Sequence, residues 1–452
     1  MKNITMQEAT ALLTEAENMD RSVRLALQRE RLCELVSYAR EHAGYFREAY
    51  RDIDLEHLSL ESLSPVRKKD LMEHYEQWVT DPEITYSAVI SYLKESKAEQ
   101  LYLSKYTGLT TSGTSGVPMP MLRDSYHNTI HGAMINRRFI FKNISADIMN
   151  PCNSRIASII YTDPKVSSYR SFMKAKNAAG AYADNMQAFS PAMSVKELVR
   201  RIDEFDPDMI TCYPSALCAL AIEQKKGNLH LHLKAIACSA EVLTEEMYAL
   251  FTETFQCPVL NNYCSTEGGE AAMSCNCGHL HINEDWVIIE PVNQELQPVQ
   301  DADAWSDGIL VTDLSNYVQP IIRYHMNDQI RICTHCNCGS TFPYMEIRGR
   351  SGGVAEICGK TVMIVNLTVA LEKMPLVYTA QVIQTAPDTL EIRAVCINEA
   401  DREKAFSMIE RKLREILDYE ECQNYHIVWS EEEPYRSNRG GKLQSFVDLS
   451  SK

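Results

Sequence analysis

The sequence has little positive charge for its length. Its 452 residues include 45 lysines and arginines against 61 aspartates and glutamates, which gives a formal net charge of −16 at pH 7. Proteins that bind nucleic acid nonspecifically neutralise phosphates with lysine and arginine, so this balance argues against a nucleic-acid partner. Any anionic substrate therefore requires a pocket that is locally basic.

Long hydrophobic runs are also missing. No apolar stretch reaches the roughly 20 residues that a membrane-spanning helix needs, so no membrane partner is expected. The first eight residues contain no apolar core of a secretory signal and soon become acidic, which predicts a cytoplasmic location. The 15 cysteines are then expected to be buried thiols in a reducing compartment, with one metal site among them.

Internal repeats and low-complexity segments are absent as well, and the hydrophobic content of 45% is ordinary for a globular protein. A chain of this length is expected to form two or three domains. Helical periodicity over residues 8–50 predicts a helical cap within about 1–100. From 100 to 283 short apolar runs alternate with amphipathic stretches, which predicts an α/β fold of parallel or mixed sheets flanked by helices.

The pattern changes after residue 283. Short strands separated by turns over 284–349 predict a small, barrel-like or antiparallel, strand-rich subdomain. A glycine-rich stretch, 349–353, is the predicted hinge. Beyond it come two strands, a helix and a further strand, at 377–385, 389–397, 399–417 and 425–430. The chain is therefore predicted to have an N-terminal domain, 1–349, followed by a small mobile α+β domain, 350–452.

One short turn is unusually rich in hydroxyls and glycine. It contains, in order, Thr111, Ser112, Gly113, Thr114, Ser115 and Gly116. Glycine tolerates the positive φ that lets backbone N–H groups converge on an anion, and the hydroxyls add donors for a phosphate. The turn does not end in Gly-Lys-Ser/Thr and is no Walker loop. Taken alone, it is as often a polar surface turn as a phosphate site.

Polar residues follow several predicted strands. Ser239-Ala240-Glu241 comes after one apolar strand, and Asn262 to Gly268 come after the next. Open α/β sheets bind ligands at the carboxyl ends of their parallel strands. An aromatic ring there can stack on a base, a threonine can donate to a phosphate, and a glutamate can hold Mg²⁺, which prefers oxygen ligands. Taken one at a time, these segments are equally well explained as ordinary turns.

Three residues further along have the same ambiguity. Asp313 and Asp328 are carboxylates next to predicted strands, and Asp328 could hold the two hydroxyls of a ribose. Lys442 lies in a glycine loop near the C-terminus. Considered separately, they are a pair of turn carboxylates and an exposed lysine.

In this order, the motifs resemble those of the adenylate-forming superfamily, the acyl- and aryl-CoA synthetases, and more narrowly its phenylacetate–CoA ligase branch. The resemblance covers about residues 100–450. It implies that Thr111 to Gly116 hold the ATP β- and γ-phosphates. It implies that Ser239-Ala240-Glu241 lines the adenine, with Tyr263 against the base.

The same resemblance assigns the remaining motif residues. It places Thr266 near the α-phosphate and Glu267 on Mg²⁺. Asp328 would bind the ribose, with Asp313 nearby. Arg350 would lie at the hinge, and Lys442 would be the catalytic lysine of the C-terminal domain.

The implied reaction activates a carboxylic acid, expected to be aromatic, with ATP as an acyl-adenylate, which then forms a thioester with coenzyme A. Mg²⁺, the loop N–H groups and Lys442 would offset the charge at the α-phosphate. In the family the C-terminal domain then rotates about the hinge to admit the thiol. Candidates for the acid pocket, which otherwise belong to the core or support it, are Tyr161, Tyr182, Tyr213, Ala240 and Asn262.

Several positions depart from the family pattern. Met119 stands where a lysine is usual, Cys264 and Asn327 replace glycines, and Gly352-Gly353 replaces an aspartate pair at the hinge. The missing hinge acids weaken the prediction of thioester formation more than that of adenylation. Two alternatives follow: adenylation with transfer to a carrier-protein phosphopantetheine or direct AMP transfer, and a degenerate nucleotide-binding protein. The sequence leaves open whether a homodimer or a carrier protein is a partner.

Two turns rich in cysteine and histidine predict a zinc site. They span 275–281 and 333–339, and clustered thiolates and imidazoles suit tetrahedral Zn²⁺, although chance clustering is the alternative. A similar pair of turns holds a structural zinc in the related branch, which implies the ligands Cys275, His281, Cys336 and Cys338. Close competitors are Cys277, His279 and Cys333. Four protein ligands would make the site structural.

Overall fold

The computed structural model describes residues 3–97, 99–111, 119–141, 144–162, 166–191, 193, 195–299, 301, 304–350, 354–363, 367, 371, 376–434 and 445–450. Some predicted functional residues lie outside these ranges. They are Ser112, Gly113, Thr114, Ser115 and Gly116 of the hydroxyl-rich turn, Gly352 and Gly353 of the hinge, and Lys442.

The first hundred residues are helical. The helices are α1 (Met6–Glu17), α2 (Arg21–His42), α3 (Gly44–Ala49), α4 (Lys68–Glu73), α5 (Tyr75–Trp78) and α6 (Tyr86–Glu95). Helix α1 begins with a capping box, in which Thr5 and Glu8 satisfy each other's backbone N–H groups. Helix α2 buries Leu32, Leu35 and Val36, so these helices pack on the core through one apolar face, as their periodicity predicts.

Helices and strands alternate in the middle of the chain. The helices there are α7 (Ser125–Phe141), α8 (Ser167–Ala178), α9 (Val195–Phe205), α10 (Pro214–Lys225) and α11 (Glu245–Phe255), and α12 (Arg402–Tyr419) follows in the C-terminal region. Short 3-10 helices occupy Leu60–Ser62, Ala146–Met149, Gly180–Asn185 and Glu399–Asp401. The strands up to the hinge are β1 (Thr107–Thr110), β2 (Pro120–Arg123), β3 (Ile156–Ile159), β4 (Met186–Phe189), β5 (Met209–Cys212), β6 (Ala235–Ser239), β7 (Val259–Ser265), β8 (Gly269–Ser274), β9 (Leu280–Ile282), β10 (Val287–Val292), β11 (Gly308–Asp313), β12 (Ile321–Met326), β13 (Asp328–Cys333) and β14 (Tyr344–Arg350).

A nine-stranded mixed sheet forms the centre of the molecule. Its order is β13-β14-β9-β8-β7-β6-β5-β3-β4. Strands β4, β3, β5, β6 and β7 are parallel, because helices connect them, whereas β7, β8, β9, β14 and β13 are antiparallel. The α/β fold class predicted from the alternation is confirmed. Strand β7 is where the parallel and antiparallel halves meet.

The strand-rich region 284–349 contributes to two sheets. Strands β10, β11 and β12 form a separate antiparallel sheet. Strands β13 and β14 instead extend the large sheet, because Tyr344 of β14 pairs with His281 of β9. The segment before α4 also reaches this region, where Val66 forms a parallel bridge with Tyr324 of β12.

The C-terminal region has a core of its own. A hairpin of β15 (Val354–Ile357) and β16 (Lys360–Met363) precedes a four-stranded sheet with the order β19-β18-β17-β20. These strands are β17 (Val377–Ala386), β18 (Thr389–Cys396), β19 (His426–Trp429) and β20 (Phe446–Asp448). Helix α12 covers this sheet through Ile409 and Leu413. Lys226, after α10, reaches across to this region and donates to the Ile397 carbonyl oxygen at 2.8 Å.

Among the described residues, no helix combines the length and the apolar character needed to cross a membrane.

Candidate functional site

The two ends of the hydroxyl-rich turn are fastened together. The backbone N–H of Thr111 donates to the Met119 carbonyl oxygen at 3.0 Å. The N–H of Met119 donates to the Thr111 hydroxyl at 2.9 Å. Both residues continue the β1–β2 hairpin, and the Met119 side chain is fully buried. Met119 therefore serves as core packing at the position where the family usually has a lysine.

The parallel strands bring several predicted residues to one edge of the sheet. Cys212 pairs with Cys238 and Ser239 with Asn262, so the carboxyl ends of β5 and β6 are aligned with the middle of β7, where its parallel pairing ends. Residues at or just beyond the ends of β3, β5 and β6 are Tyr161, Tyr213, Ser239, Ala240 and Glu241. Asn262 lies beside them but within β7, which continues to Ser265, whereas the sequence predicted that it follows the strand. Ala240 has a φ of +70°, a left-handed conformation that turns the chain sharply after β6. This edge is where a ligand of an α/β sheet is expected.

Tyr182 lies elsewhere. It belongs to the 3-10 helix Gly180–Asn185, which leads into the amino end of β4, and its side chain is 47% exposed. Since β4 is parallel to β3, Tyr182 is at the opposite edge of the sheet from Tyr161. The structure does not bring Tyr182 to the other candidates for the acid pocket.

The predicted adenine and ribose residues meet directly. The Tyr263 hydroxyl, on β7, donates to Asp328 Oδ2 at 3.0 Å, although the two residues are 65 positions apart. Asp328 begins β13 and is paired in the ladder with Arg350, the last residue of β14. A hydrogen bond between β7 and the edge strand β13 thus brings together a tyrosine, a carboxylate and the start of the hinge.

Thr266 and Glu267 lie on the turn between β7 and β8. The Arg123 guanidinium, at the end of β2, donates through Nη2 to the Thr266 carbonyl oxygen at 2.8 Å. Burial raises the pKa of the Tyr324 hydroxyl, and its hydrogen bond with Glu267 raises it further. The turn is therefore held next to the strand that follows the hydroxyl-rich turn.

Two cations near this turn were not predicted from the sequence. Burial lowers the pKa of Arg123, although the negative charges of Asp313, Glu270 and Glu267 act in the opposite direction. Burial also lowers the pKa of Lys68, whose ammonium interacts with Glu267. The requirement for a locally basic pocket was the only sequence signal for them. The β1–β2 pairing and the bridge between Val66 and Tyr324 bring Arg123 and Lys68 to this turn, and local sequence patterns do not encode these contacts.

Asp313 is enclosed behind the same turn. Its carboxylate has no exposed surface and accepts hydrogen bonds from His127 Nε2 at 2.8 Å and from the Ser315 N–H and hydroxyl at 2.9 and 2.7 Å. Burial alone would raise the pKa of Asp313, but His127 and His131 outweigh it and hold the pKa well below the usual value. Asp313 is thus anionic and committed to protein partners.

The predicted zinc ligands form a compact cluster at the antiparallel end of the large sheet. The ligand atoms of Cys275, His281, Cys336 and Cys338 all lie within 4.8 Å of one another. The Cys275 and Cys336 sulfurs are 3.7 Å apart, and Cys338 Sγ is 3.3 Å from His281 Nε2. The pairing of β9 with β14 brings the two Cys/His turns together.

The tautomer of His281 suits a metal ligand. His281 Nδ1 is 2.7 Å from the Phe342 carbonyl oxygen, which can only accept, so Nδ1 carries the proton and Nε2 presents its lone pair to the thiols. The Cys277 N–H donates to Cys275 Sγ at 3.3 Å, which favours the thiolate form of that cysteine. Burial and the neighbouring Cys338 and Cys275 raise the pKa of the Cys336 thiol, so a cation would have to stabilise its thiolate. Soft thiolates with one imidazole match the preferences of Zn²⁺.

The competing residues lie at the edge of this cluster. His279 Nδ1 is 3.2 Å from Cys336 Sγ, and the His279 ring stacks on Tyr344. Cys277 is exposed, and Cys333 interacts with the Tyr344 hydroxyl. His279 therefore contacts one candidate ligand, while Cys277 and Cys333 are outside the compact group of four.

Comparisons with known proteins give a consistent relationship. No family model matches the chain. The phenylacetate–coenzyme A ligase of Thermus thermophilus is 24% identical over 379 residues, covering 80% of this chain and 78% of that protein. Protein CapK of Staphylococcus aureus is 23% identical over 262 residues, so the match spans 56% of this chain and only 56% of CapK.

Solved structures show the same fold. A 2-hydroxyisobutyryl-CoA ligase in the postadenylation state, in complex with its acyl-AMP, matches 97% of this chain and 92% of its own with a TM-score of 0.71 and 17% identity. The TM-score is 0.58 for that ligase in the thioesterification state. The chain thus has the fold of this ligase. The resemblance to the adenylate-forming superfamily, and to its phenylacetate–CoA ligase-like branch, is confirmed.

Proposed function

We propose that this chain is an AMP-forming acid–thiol ligase, which activates a carboxylic acid with ATP as an acyl-adenylate and transfers the acyl group to coenzyme A. The hydrogen bond between Tyr263 and Asp328 is the observation that carries the proposal, because it unites two residues that were predicted separately to contact adenine and ribose. The relatives support it, since one is named a phenylacetate–coenzyme A ligase and another binds an acyl-AMP and CoA.

The first half-reaction brings together a carboxylate and a triphosphate, two anions that repel each other. Bound Mg²⁺, held by Glu267, would supply charge neutralisation at the phosphates. Arg123 and Lys68 add positive charge around that carboxylate. Thr111, fastened to Met119, fixes the base of the loop whose N–H groups would hold the β- and γ-phosphates.

The acid is proposed to lie at the carboxyl edge of the parallel strands. Tyr161, Tyr213 and Asn262 lie there, and Asn262 donates to Glu270 at 2.7 Å, which fixes its amide. Aromatic and amide side chains of this kind fit an aromatic acid, such as a phenylacetate-like or aryl acid. Tyr182 is left out of this pocket because of its position at the other edge.

The second half-reaction is assigned to a mobile C-terminal domain beginning at residue 350. The separate core of this region, with Ile357, Val382 and Leu390, supports independent movement. Lys442 would act on the phosphate during adenylation and then leave, so that the thiol could approach. Transfer to a carrier-protein phosphopantetheine or direct AMP transfer is the alternative that experiment has to separate.

Pyrophosphate exchange across a panel of carboxylic acids tests adenylation, and detection of a thioester with free coenzyme A tests the acceptor. Lys442→Ala should slow adenylation by about a hundredfold or more, because a charge-stabilising group is lost. Lys412→Ala, which alters an exposed lysine of α12 paired with Glu415, is the matched control and should retain the rate. Pyrophosphate exchange without thioester formation would show that free coenzyme A is not the acceptor. No exchange with any acid would remove the enzyme assignment.

We also propose that Cys275, His281, Cys336 and Cys338 hold a structural Zn²⁺. The four ligand atoms lie within 4.8 Å of one another, and His281 presents an unprotonated Nε2, so the coordination would be closed to substrate. The metal would fasten β9 to the turn after β13 and thereby support the end of the large sheet.

A further inference from the structure

Two histidines of α7 form a buried cluster with Asp313 that the proposed reaction does not use. His127 and His131 are one helical turn apart, and their rings stack at 4.1 Å between centroids. His127 Nε2 is 2.8 Å and His131 Nε2 is 3.5 Å from the Asp313 carboxylate. Two imidazoles and a carboxylate are also a common ligand set for divalent transition metals.

The hydrogen bonds of His131 argue against a metal here. Its Nδ1 accepts the backbone N–H of Glu270 at 3.0 Å and is therefore unprotonated. The proton of the neutral ring is then on Nε2, which is 3.1 Å from the Ser315 hydroxyl. A metal at Nε2 would require the ring to lose this proton as well. The nearby Arg123 guanidinium adds a further positive charge.

His131 instead supports the turn that carries Thr266 and Glu267. The ring lies directly against Gly269, where a Cβ would be 1.9 Å from its Cε1 atom. Its Nδ1 holds the Glu270 N–H, at the carboxyl side of the turn. Arg123 holds the Thr266 carbonyl oxygen at 2.8 Å, at the other side. Both contacting residues, Arg123 and His131, lie in the segment that follows the hydroxyl-rich turn.

We propose that His131 is a positioning residue, which orders the turn that carries Glu267 by accepting the Glu270 N–H and packing against Gly269. The inference rests on the proposed function, because it assumes that Glu267 holds Mg²⁺ there. His127 offers a natural contrast. It shares the helix, the burial and the Asp313 partner, but its ring contacts Asp313 and the His131 ring, whereas it is the His131 ring that holds the turn.

Three substitutions at His131 separate its two nitrogens. His131→Asn keeps an acceptor near the Nδ1 position and loses the Nε2 donor. His131→Gln places a donor near Nε2 and loses the Nδ1 acceptor, and His131→Ala loses both. We expect the Mg²⁺ concentration for half-maximal pyrophosphate exchange to rise about tenfold or more in the Gln and Ala variants, as for other residues that orient a metal ligand. The Asn variant should remain near the wild-type value.

His127→Ala is the matched control. It should lower thermal stability, because Asp313 loses a buried donor, while the Mg²⁺ requirement stays unchanged. A purely structural role for His131 would give the same result for both histidines, and that outcome would overturn the proposal. A second metal equivalent, beyond zinc, that disappears in His131→Ala would overturn it as well.

Amide hydrogen exchange makes the inference independent of turnover. The peptide covering 263–270 should exchange faster in the Gln and Ala variants of His131 than in His131→Asn or His127→Ala. An inactive wild type with this exchange pattern would refute the proposed function and leave the positioning role standing. An active wild type with equal exchange in all variants would refute the positioning role alone.

Discussion

Two clusters of side chains among the described residues could bind a metal, and the hydrogen bond made by the other ring nitrogen of a histidine distinguishes them. In the cysteine-rich cluster, His281 Nδ1 donates to the Phe342 carbonyl oxygen, which leaves the Nε2 lone pair facing the thiols. In the other cluster, His131 Nδ1 accepts the Glu270 N–H, which keeps the proton on Nε2. Similar ligand types thus predict a metal in one place and a hydrogen-bonded support in the other.

The difference shows that the partner behind a ligand decides its chemistry. Phe342 follows the second Cys/His turn and precedes β14, so the pairing of β14 with β9 sets the protonation of His281. Glu270 lies at the start of β8, just after the turn that carries Glu267. The β7–β8 hairpin therefore sets the protonation of His131. Both backbone groups come from the antiparallel half of the sheet.

Loss of a thiol from the first cluster should have the largest effect. Cys338→Ser is expected to reduce the zinc content from about one equivalent per chain to below about a tenth, because structural sites of four ligands bind with on the order of 10 kcal/mol. The melting temperature should fall with it. Metal analysis and thermal unfolding of the purified protein measure both effects.

The exposed Cys277 supplies the control for this experiment. Cys277→Ser and His279→Ala remove competing ligands and should retain the zinc. A loss of zinc in Cys277→Ser comparable to that in Cys338→Ser would show that Cys277 is a zinc ligand in place of one of the proposed four. Absence of zinc from the wild-type protein would show that the cysteine-rich cluster does not bind the metal, so the two clusters would not differ in this respect.

Crowding the second cluster should have the next largest effect. Gly269→Ala puts a Cβ 1.9 Å from the His131 ring at a residue with a φ of +61°. Left-handed strain of about 1–2 kcal/mol and overpacking of about 1–3 kcal/mol should together lower the free energy of unfolding by about 3 kcal/mol. Denaturant titration compares the variant with the wild type.

Gly227→Ala is the control for backbone strain. Gly227 has a φ of +76°, and among the described residues no heavy atom lies within 4 Å of the point that a Cβ would occupy, so only the strain of about 1 kcal/mol should appear. In the double variant Gly269→Ala/His131→Ala the ring is gone, and the glycine substitution should cost less than in the presence of His131. Additive costs would show that the ring does not rest on Gly269.

The order of elements and the motif chemistry were accessible from the sequence, whereas the contacts across the sheet were not. Alternation of apolar runs and helices predicted the parallel strands, and the family resemblance carried by the local motifs implied that Tyr263 and Asp328 are neighbours of one nucleotide. Lys68 and Arg123 were missed because strand pairing and a single bridge bring them to Glu267. The contact of His131 with Gly269 joins residues 138 positions apart and leaves no local pattern.

The smallest of these effects is a dependence of stability on pH. Burial, aided by the neighbouring His131, lowers the pKa of His127 to about 3, whereas the unfolded chain should titrate this ring near 6.5. Below pH 6.5 the unfolded state therefore binds a proton that the folded state does not. The free energy of unfolding should decrease by up to about 1.4 kcal/mol per pH unit from this group, or about 2 kcal/mol between pH 7 and 5.

His127→Gln removes that contribution, so its stability should depend less on pH over this window, whatever its absolute stability. His232→Gln changes an exposed ring and should keep the wild-type slope. Protonation of Asp313, whose pKa is held well below 3.8, affects only a lower range of pH and does not interfere. Equal slopes for His127→Gln and the wild type would mean that His127 takes up its proton over the same pH range in the folded and unfolded states, which would contradict the lowered pKa.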